Sequence, residues 1–347
     1  MRRLPIFLLL DVSESMVGDN LRQLQQGLDM LVRDLRTDPH ALETVFLSAI
    51  VFAGKARTMA PLTELSQFYP PRLPAGSGTS LGAGLNHLMD EIDRSVVTSS
   101  AERKGDWRPV VYLMTDGKPT DDIEPALRRW QEKYASRVTL VAIAIGQHAS
   151  VQTLRRLTDN VLQLDAQTEQ DFKRFVNWVT MSVAAQSRSV AAGPGVNLAK
   201  LDPSIMRKIH ELENAAVVDE DLAIFTGQCQ KNKLPYLMRY ERMPRHLDNA
   251  DFKLSVDLYN LTGVYALEQD YFALSDQRAM VRTVNTDALN GAPGCPHCGN
   301  RIGFAVCGCG AIMCISGPGP ATCPACDSEC NFNTSGSEGF DVNRSRG

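Results

Sequence analysis

The 347-residue sequence is short of several things, and each shortage narrows what it can be. No apolar run approaches the roughly 18–20 residues needed to cross a bilayer, so no membrane-spanning role is expected. Positive charge is not in excess. The net charge is −4, which gives no global pull toward nucleic acid or anionic lipid. There are only six histidines, and none sits in a local nucleophile–base pattern. Cysteine is almost missing from the first 294 residues, where Cys229 stands alone. No secretory leader is expected either. Arg2 and Arg3 could open one, but the apolar run "LPIFLLL" stops at Leu10. Asp11 follows with no small-residue cleavage pattern near it. The same run reads as a short, fully buried strand ending in a polar cluster. A cytoplasmic location is therefore expected.

What is present, from residue 4 to about 190, is an alternation of apolar runs and amphipathic stretches. The strand candidates are "LPIFLLL", "VFLSAIVFA", "VVYLM", "VTLVAIAIG" and "VLQLD". Between them lie "NLRQLQQGLDMLVRDL", "TSLGAGLNHLMDEIDR", "IEPALRRWQEKYA", "VQTLRRLTDN" and "EQDFKRFVNWVTMSV". Strands alternating with helices of about ten to fifteen residues predict right-handed crossovers. The fold class is α/β, a doubly wound, mostly parallel sheet covered on both faces. Residues 1–190 form this domain, and 191–215 read as a linker. A small β-rich segment is expected over 216–290 and a zinc-ribbon-like module over 291–332. The tail, 333–347, has almost nothing to bury and is expected to be disordered.

Two of the strands run into polar clusters. "LPIFLLL" ends in Asp11-Val12-Ser13-Glu14-Ser15, and "VVYLM" ends in Thr115-Asp116-Gly117. In open parallel sheets, ligands bind beyond the carboxyl ends of strands where the strand order reverses. Asp11 and Asp116 are therefore expected to meet. "AGSGTSLGAGL" adds Thr79 at a glycine-flexible turn just before a helix. Two carboxylates with Ser13, Ser15 and Thr79 are hard oxygen donors suited to Mg²⁺ or Mn²⁺. Asp121, Asp122 and Glu124 are expected to start the following helix.

The segments D-x-S-x-S, G-T-S-L-G and T-D-G-x-P, in this order, resemble the metal-ion-dependent adhesion site of von Willebrand factor A-type domains. The resemblance covers roughly residues 4–190. It implies that Ser13, Ser15 and Thr79 coordinate the ion directly. Asp11 and Asp116 would hold it largely through water, and a partner carboxylate would complete the shell. Rival chemistries fail on particular residues. A haloacid-dehalogenase-type phosphatase needs an aspartate where Ser13 stands. A P-loop needs a hydroxyl after Gly54-Lys55 and a glycine at Ala49. "GSGTSLG" spaces its glycines wrongly for a dinucleotide fingerprint. No catalytic residue is assigned, and an adaptor is expected rather than an enzyme. The alternatives are a metal-dependent phosphohydrolase using Asp11 and Asp116, or nucleic-acid binding through the cysteine module.

The other eight cysteines all fall between Cys295 and Cys330. An odd total of nine, with eight in a single tight cluster, argues for metal over a disulfide framework. Two C-P-x-C knuckles, Cys295/Cys298 and Cys323/Cys326, predict one Zn²⁺ site. A second ion would use Cys307, Cys309 and Cys314, with Cys330 or His297 completing it. Cys229 reads as a small buried apolar residue. Residues 291–347 carry three basic side chains against four acidic ones, without the basic footprint of phosphate binding. Docking or modification of the module is therefore favoured over nucleic acid.

The A-type domain followed by "CQKNKLPYLMRY" and "CPHCGNRIGFAVCGCGAIMC…CPAC" is similar to the TerY-type proteins of bacterial tellurite-resistance and stress systems. That resemblance implies a cytoplasmic signalling adaptor whose partners are a protein kinase and a PPM-type phosphatase. Candidate phosphoacceptors are Ser316, Thr322, Thr334, Ser335 and Ser337.

Overall fold

A computed structural model describes residues 2–100, 104–116, 118–145, 151–164, 169–189, 206–208, 222–249, 252–275, 283–332 and 339–344. The chain divides into two compact units. One comprises residues 1–73 and 79–217, and the other residues 74–78 and 218–347.

The first unit is built on strands β1 (Leu4–Asp11), β2 (Val45–Phe52), β3 (Ala56–Glu64), β4 (Val110–Thr115), β5 (Thr139–Ile145), β6 (Val161–Leu164) and β7 (Met206–Lys208). Its helices are α1 (Asp19–Leu35), α2 (Pro39–Thr44), α3 (Leu81–Ser95), α4 (Glu124–Lys133), α5 (Val151–Arg155) and α6 (Glu169–Ser189). The strand order is β3-β2-β1-β4-β5-β6-β7. The five strands from β2 to β6 are parallel, and both edges, β3 and β7, are antiparallel. Every residue of β1, β4 and β5 is buried. That explains why these strands read as unbroken apolar runs instead of alternating ones.

The two faces nevertheless sort by the period-2 pleat. Phe7, Leu9, Val111 and Leu113 join one core with Leu85, Leu88 and Met89 of α3 and Leu127 and Trp130 of α4. Leu8, Leu10 and Met114 point the other way, toward Leu24, Leu28 and Leu31 of α1 and Phe175, Val176 and Val179 of α6. The structure adds elements the periodicity missed. Strand β3 is half-buried except at the exposed Pro61, and a proline is tolerated there because the strand is an edge. Residues 206–208 correct the linker reading of 191–215, because their backbone pairs with β6 at the opposite edge.

The second unit corrects the boundary placed at residue 290. Strands β8 (Leu222–Gln228), β9 (Pro235–Asn249) and β10 (Phe252–Ala266) precede the short helix α7 (Asp270–Leu274). There follow β11 (Thr283–Asn285), β12 (Leu289–Asn290), β13 (Ile302–Val306), β14 (Ile312–Ile315), β15 (Gly319–Thr322), β16 (Glu329–Phe332) and β17 (Asp341–Asn343). One six-stranded sheet, ordered β12-β10-β9-β8-β14-β13, runs through both the β-rich segment and the cysteine module. The joint is the parallel pairing of β14 with β8. Two separate pieces of sheet would each leave an unpaired edge and an uncovered face; joined, they share a core of Phe225, Tyr236, Met238 and Ile312. The tail is corrected in part as well. Residues 341–343 pair with β11, and Val342 is buried in that same core. Among the described residues no helix is long and apolar enough to cross a membrane.

Candidate metal centres

The order of the first sheet reverses between β1 and β4, and the polar cluster sits at the carboxyl ends of these two strands. Register places Leu10 beside Met114, which sets Asp11 next to Thr115. The Thr115 hydroxyl donates to Asp11 Oδ2 at 2.5 Å, and the Ser13 N–H donates to Asp11 Oδ1 at 2.9 Å. Ser13 Oγ and Ser15 Oγ lie 3.0 Å apart. The Ser15 hydroxyl donates to Asp116 Oδ1 at 2.8 Å. Strand ends 101 residues apart in sequence are thus closed into one ring of hydroxyls and carboxylates. Asp11 and Ser13 are fully buried, and Ser15 nearly so.

Thr79 is held by bonds from its backbone to Thr120. Its N–H donates to the Thr120 hydroxyl at 3.0 Å, and its carbonyl accepts from the Thr120 N–H at 2.9 Å. The turn is therefore stitched to the loop that follows Asp116. Gly117 lies outside the described residues.

The donors fit a hard divalent cation. All are oxygen, and no thiol or imidazole belongs to the ring. The Asp11 carboxyl is wholly buried, and burial pushes it up to about 6 despite the hydrogen bonds from Thr115 and Ser13 that favour its charged form. A buried carboxylate of this kind is stabilised by a neighbouring cation.

Two supporting residues were not read from the sequence as the structure uses them. Thr115 positions Asp11, and only its place before Asp116 hinted at that role. Asp121 corrects the expectation that it starts the next helix. Its carboxylate accepts from the Gly82 and Ala83 N–H groups at 3.2 and 3.0 Å, so it caps α3 from 38 residues away. Asp122 behaves as expected, accepting from the Glu124 N–H at 3.0 Å. Gly82 is needed for the approach, because a Cβ there would lie 2.9 Å from Asp121 Oδ2. Asp121→Ala removes an N-cap without touching the ring, and should destabilise the first unit by about 1 kcal/mol in urea unfolding.

The cysteines are grouped differently from the sequence expectation. Cys229, Cys295, Cys298 and Cys314 form one set of four, and Cys307, Cys309, Cys323 and Cys326 form another. Within each set, all four sulfurs lie within 4.8 Å of one another. The two C-P-x-C knuckles therefore belong to different centres. Cys314 joins the first centre, and Cys330 joins neither set of four. His297 is engaged elsewhere, with its Nε2 2.8 Å from the Pro235 carbonyl. Cys229 is buried as expected, but it is a member of a centre.

The reason lies in a repeated turn. At Cys295 and at Cys323, the N–H of the fourth following residue donates to the cysteine carbonyl, and the cysteine N–H donates to the carbonyl of the fifth. Cys229 heads the same turn. Lys233 donates to its carbonyl at 2.9 Å, and its own N–H donates to the Leu234 carbonyl at 2.9 Å. Gly299, Asp327 and Lys233 occupy matching places with φ of 76°, 56° and 60°. "CQKNKL" is thus a knuckle with Asn232 in the second cysteine position, and the missing thiol is supplied by Cys314 from β14. "CGCG" is the same turn shortened by one residue, with Gly310 donating to the Cys307 carbonyl at 2.8 Å.

Four thiols suit zinc. A tetrahedron with metal–sulfur bonds of about 2.3 Å has edges of about 3.8 Å. Cys298–Cys314, Cys307–Cys326 and Cys309–Cys323 are 3.6, 3.7 and 3.9 Å apart. Each set holds thiols shifted in both directions, Cys298 of the first set downward and Cys307 and Cys309 of the second upward. Burial pushes the Cys295 and Cys314 thiols up, whereas hydrogen bonds from the Ser328 hydroxyl and N–H bring the exposed Cys326 down to about 6.

Comparison with known proteins agrees with both regions. Residues 6–178 match the family model described as the von Willebrand factor type A domain, and residues 219–347 match the TerY-C metal binding domain. No curated protein matches the chain. Among solved structures, the chain is similar to proximal thread matrix protein 1 from the mussel byssus with a zinc-occupied MIDAS motif. That likeness is 22% identical over 53% of this chain and 48% of the other, with a TM-score of 0.38. It is also similar to the conserved hypothetical protein BatB from Bacteroides thetaiotaomicron, at 17% identity over 53% and 99%, TM-score 0.36. A third is the ArnB paralog VWA2 from Sulfolobus acidocaldarius, at 12% identity over 77% and 66%, TM-score 0.38. The chain spans about half the length of the mussel protein.

Proposed function

We propose that the chain, an A-type domain followed by a TerY-C metal binding domain, is a metal-dependent signalling adaptor of TerY type in the bacterial cytoplasm. The observation that carries this reading is the ring of buried Asp11, Ser13 and Ser15 with half-buried Asp116 at the switch point of the sheet. Mg²⁺ or Mn²⁺ held there supplies a Lewis-acidic position for an acidic side chain of a partner protein. The residues of this chain bind and orient the ion. Ser13, Ser15 and Thr79 offer neutral oxygens, while Asp11 and Asp116 bring the charge that balances the cation. No residue is assigned a catalytic role.

Zinc in the two thiol sets holds the second unit in shape, which makes that unit a surface for docking or modification. In keeping with the family resemblance, the proposed partners are a protein kinase and a PPM-type phosphatase within a tellurite-resistance or stress response. Capture from native cytosol with the full chain as bait tests the reading. A kinase or phosphatase should be retained in Mg²⁺ and lost in chelator. Retention that ignores chelator would refute the metal-dependent part.

Phosphorylation of the second unit is part of the same proposal. Ser316 and Thr322 are exposed at either side of the turn before and along β15, where a kinase can reach them. Thr334, Ser335 and Ser337 lie outside the described residues. A phosphate would add about −1.5 to −2 charges. Mass spectrometry after incubation with the captured kinase should find phosphate at one or more of these five positions. A phosphate-free region beyond residue 290 would remove this part of the proposal.

A further inference from the structure

The second thiol set has a fifth sulfur beside it. Cys330, on β16, places its Sγ 3.3 Å from Cys307 Sγ. That is shorter than any of the sulfur–sulfur distances given above within the two sets, though well beyond a covalent bond of about 2.05 Å. Register fixes the approach, since Cys330 pairs with Ala321 on β15, two residues before Cys323. Cys330 also packs against the small apolar core that contains Cys307, Met313 and Cys323. It is half-buried, so reagents reach it, and Cys309 and Cys326 of the same set are exposed. The first set is less exposed. Three of its four cysteines are buried, and the fourth, Cys298, is half-buried.

We propose that Cys330 is a peroxide-reactive thiol that oxidises onto Cys307 and thereby opens the second zinc centre while the first stays closed. The proposal rests on the reading of both thiol sets as zinc centres. In the first step the Cys330 sulfur attacks hydrogen peroxide. The O–O bond breaks, Cys330 becomes a sulfenic acid, and one water is released. In the second step the Cys307 thiolate attacks the Cys330 sulfur. The S–S bond forms as the S–O bond breaks, and the hydroxide takes up a proton and leaves as the second water. Two thiol equivalents are oxidised and one peroxide is reduced. Cys307 gives up its bond to zinc, leaving Cys309, Cys323 and Cys326, one thiolate short of a closed tetrahedron. A zinc-bound thiolate is partly shielded from peroxide by its metal. A fifth thiol outside the four ligand positions lacks that shield, which is why the first step falls to Cys330.

The test uses the full chain, reduced and loaded with zinc, treated with hydrogen peroxide in the presence of a chromogenic zinc chelator. The zinc count before oxidant checks the two-centre reading. The disulfide map after oxidant checks the proposal, and it can be read whatever that count is. Release of one zinc of two, with a Cys307–Cys330 disulfide, is expected. Cys330→Ser should keep both ions and slow the release by about tenfold or more. Release at the unaltered rate from Cys330→Ser, or a disulfide confined to other pairs, would overturn the proposal. So would loss of an ion from Cys330→Ser before oxidant, because Cys330 would then be a ligand.

Discussion

Cys229→Ser is expected to remove one of two tightly held zinc ions and to unfold the second unit, leaving the first unit folded. The change is a single sulfur-to-oxygen replacement at a buried side chain, so lost packing contributes little. A hydroxyl is a poor zinc ligand next to thiolates, and three ligands hold the ion much more weakly than four. Structural zinc in small modules contributes about 10–16 kcal/mol of apparent binding free energy, which exceeds what a sheet of this size retains without it. The centre lost is also the one that joins the halves of the sheet, through Cys229 after β8 and Cys314 on β14. Cys323→Ser should remove the other ion, and the double variant both. Metal analysis of protein purified under reducing conditions decides between groupings. If the two C-P-x-C knuckles shared one centre, Cys229→Ser would keep its full zinc content. Amide exchange in the same samples should show protection in β1, β4 and β5 unchanged.

Asp11→Ala is expected to reduce metal-dependent partner capture by about a hundredfold, to the level seen with chelator. Asp116→Ala should do the same, since the two carboxylates supply the negative charge of the ring. The fold should survive. Without a cation, the buried Asp11 carboxylate is a cost that the apolar strands already carry, as its upward shift to about 6 records. Removing it relieves that cost but takes away the acceptor of the Ser13 N–H and one hydrogen bond of Thr115, for a net change of about 1–3 kcal/mol. Asp11→Asn separates folding from binding, because its amide oxygen can still accept from Ser13 while the charge is gone. A well-folded Asp11→Asn protein that still captures its partner in an Mg²⁺-dependent way would refute the assignment of the ring.

Much of this molecule is determined by local chemistry that can be read one segment at a time. Unbroken apolar runs marked β1, β4 and β5 as strands buried on both faces, and the helical periodicity of α1, α3 and α4 placed their covering layers. The polar residues after β1 and β4 could be located because the carboxyl ends of parallel strands at a reversal in strand order are where a sheet leaves room for a ligand. Cysteine spacing identified the C-P-x-C turns, since a knuckle is closed by hydrogen bonds among five or six consecutive residues.

Only the tertiary structure decided which segments share a centre. The two C-P-x-C knuckles look like natural partners, yet a lone cysteine near 229 and a strand cysteine at 314 meet Cys295 and Cys298, because β14 pairs with β8. Pairing of that kind depends on backbone hydrogen bonds between strand residues 85 apart, and no local spacing encodes it. The capping of α3 by Asp121 and the bond from Thr115 to Asp11 are of the same kind. So is the proximity of Cys330 to Cys307, which the register of β15 against β16 sets. Residue types fix which groups can bind a metal. Tertiary contacts, strand register foremost among them, fix which of them meet, because they bring side chains distant in sequence to within bonding distance.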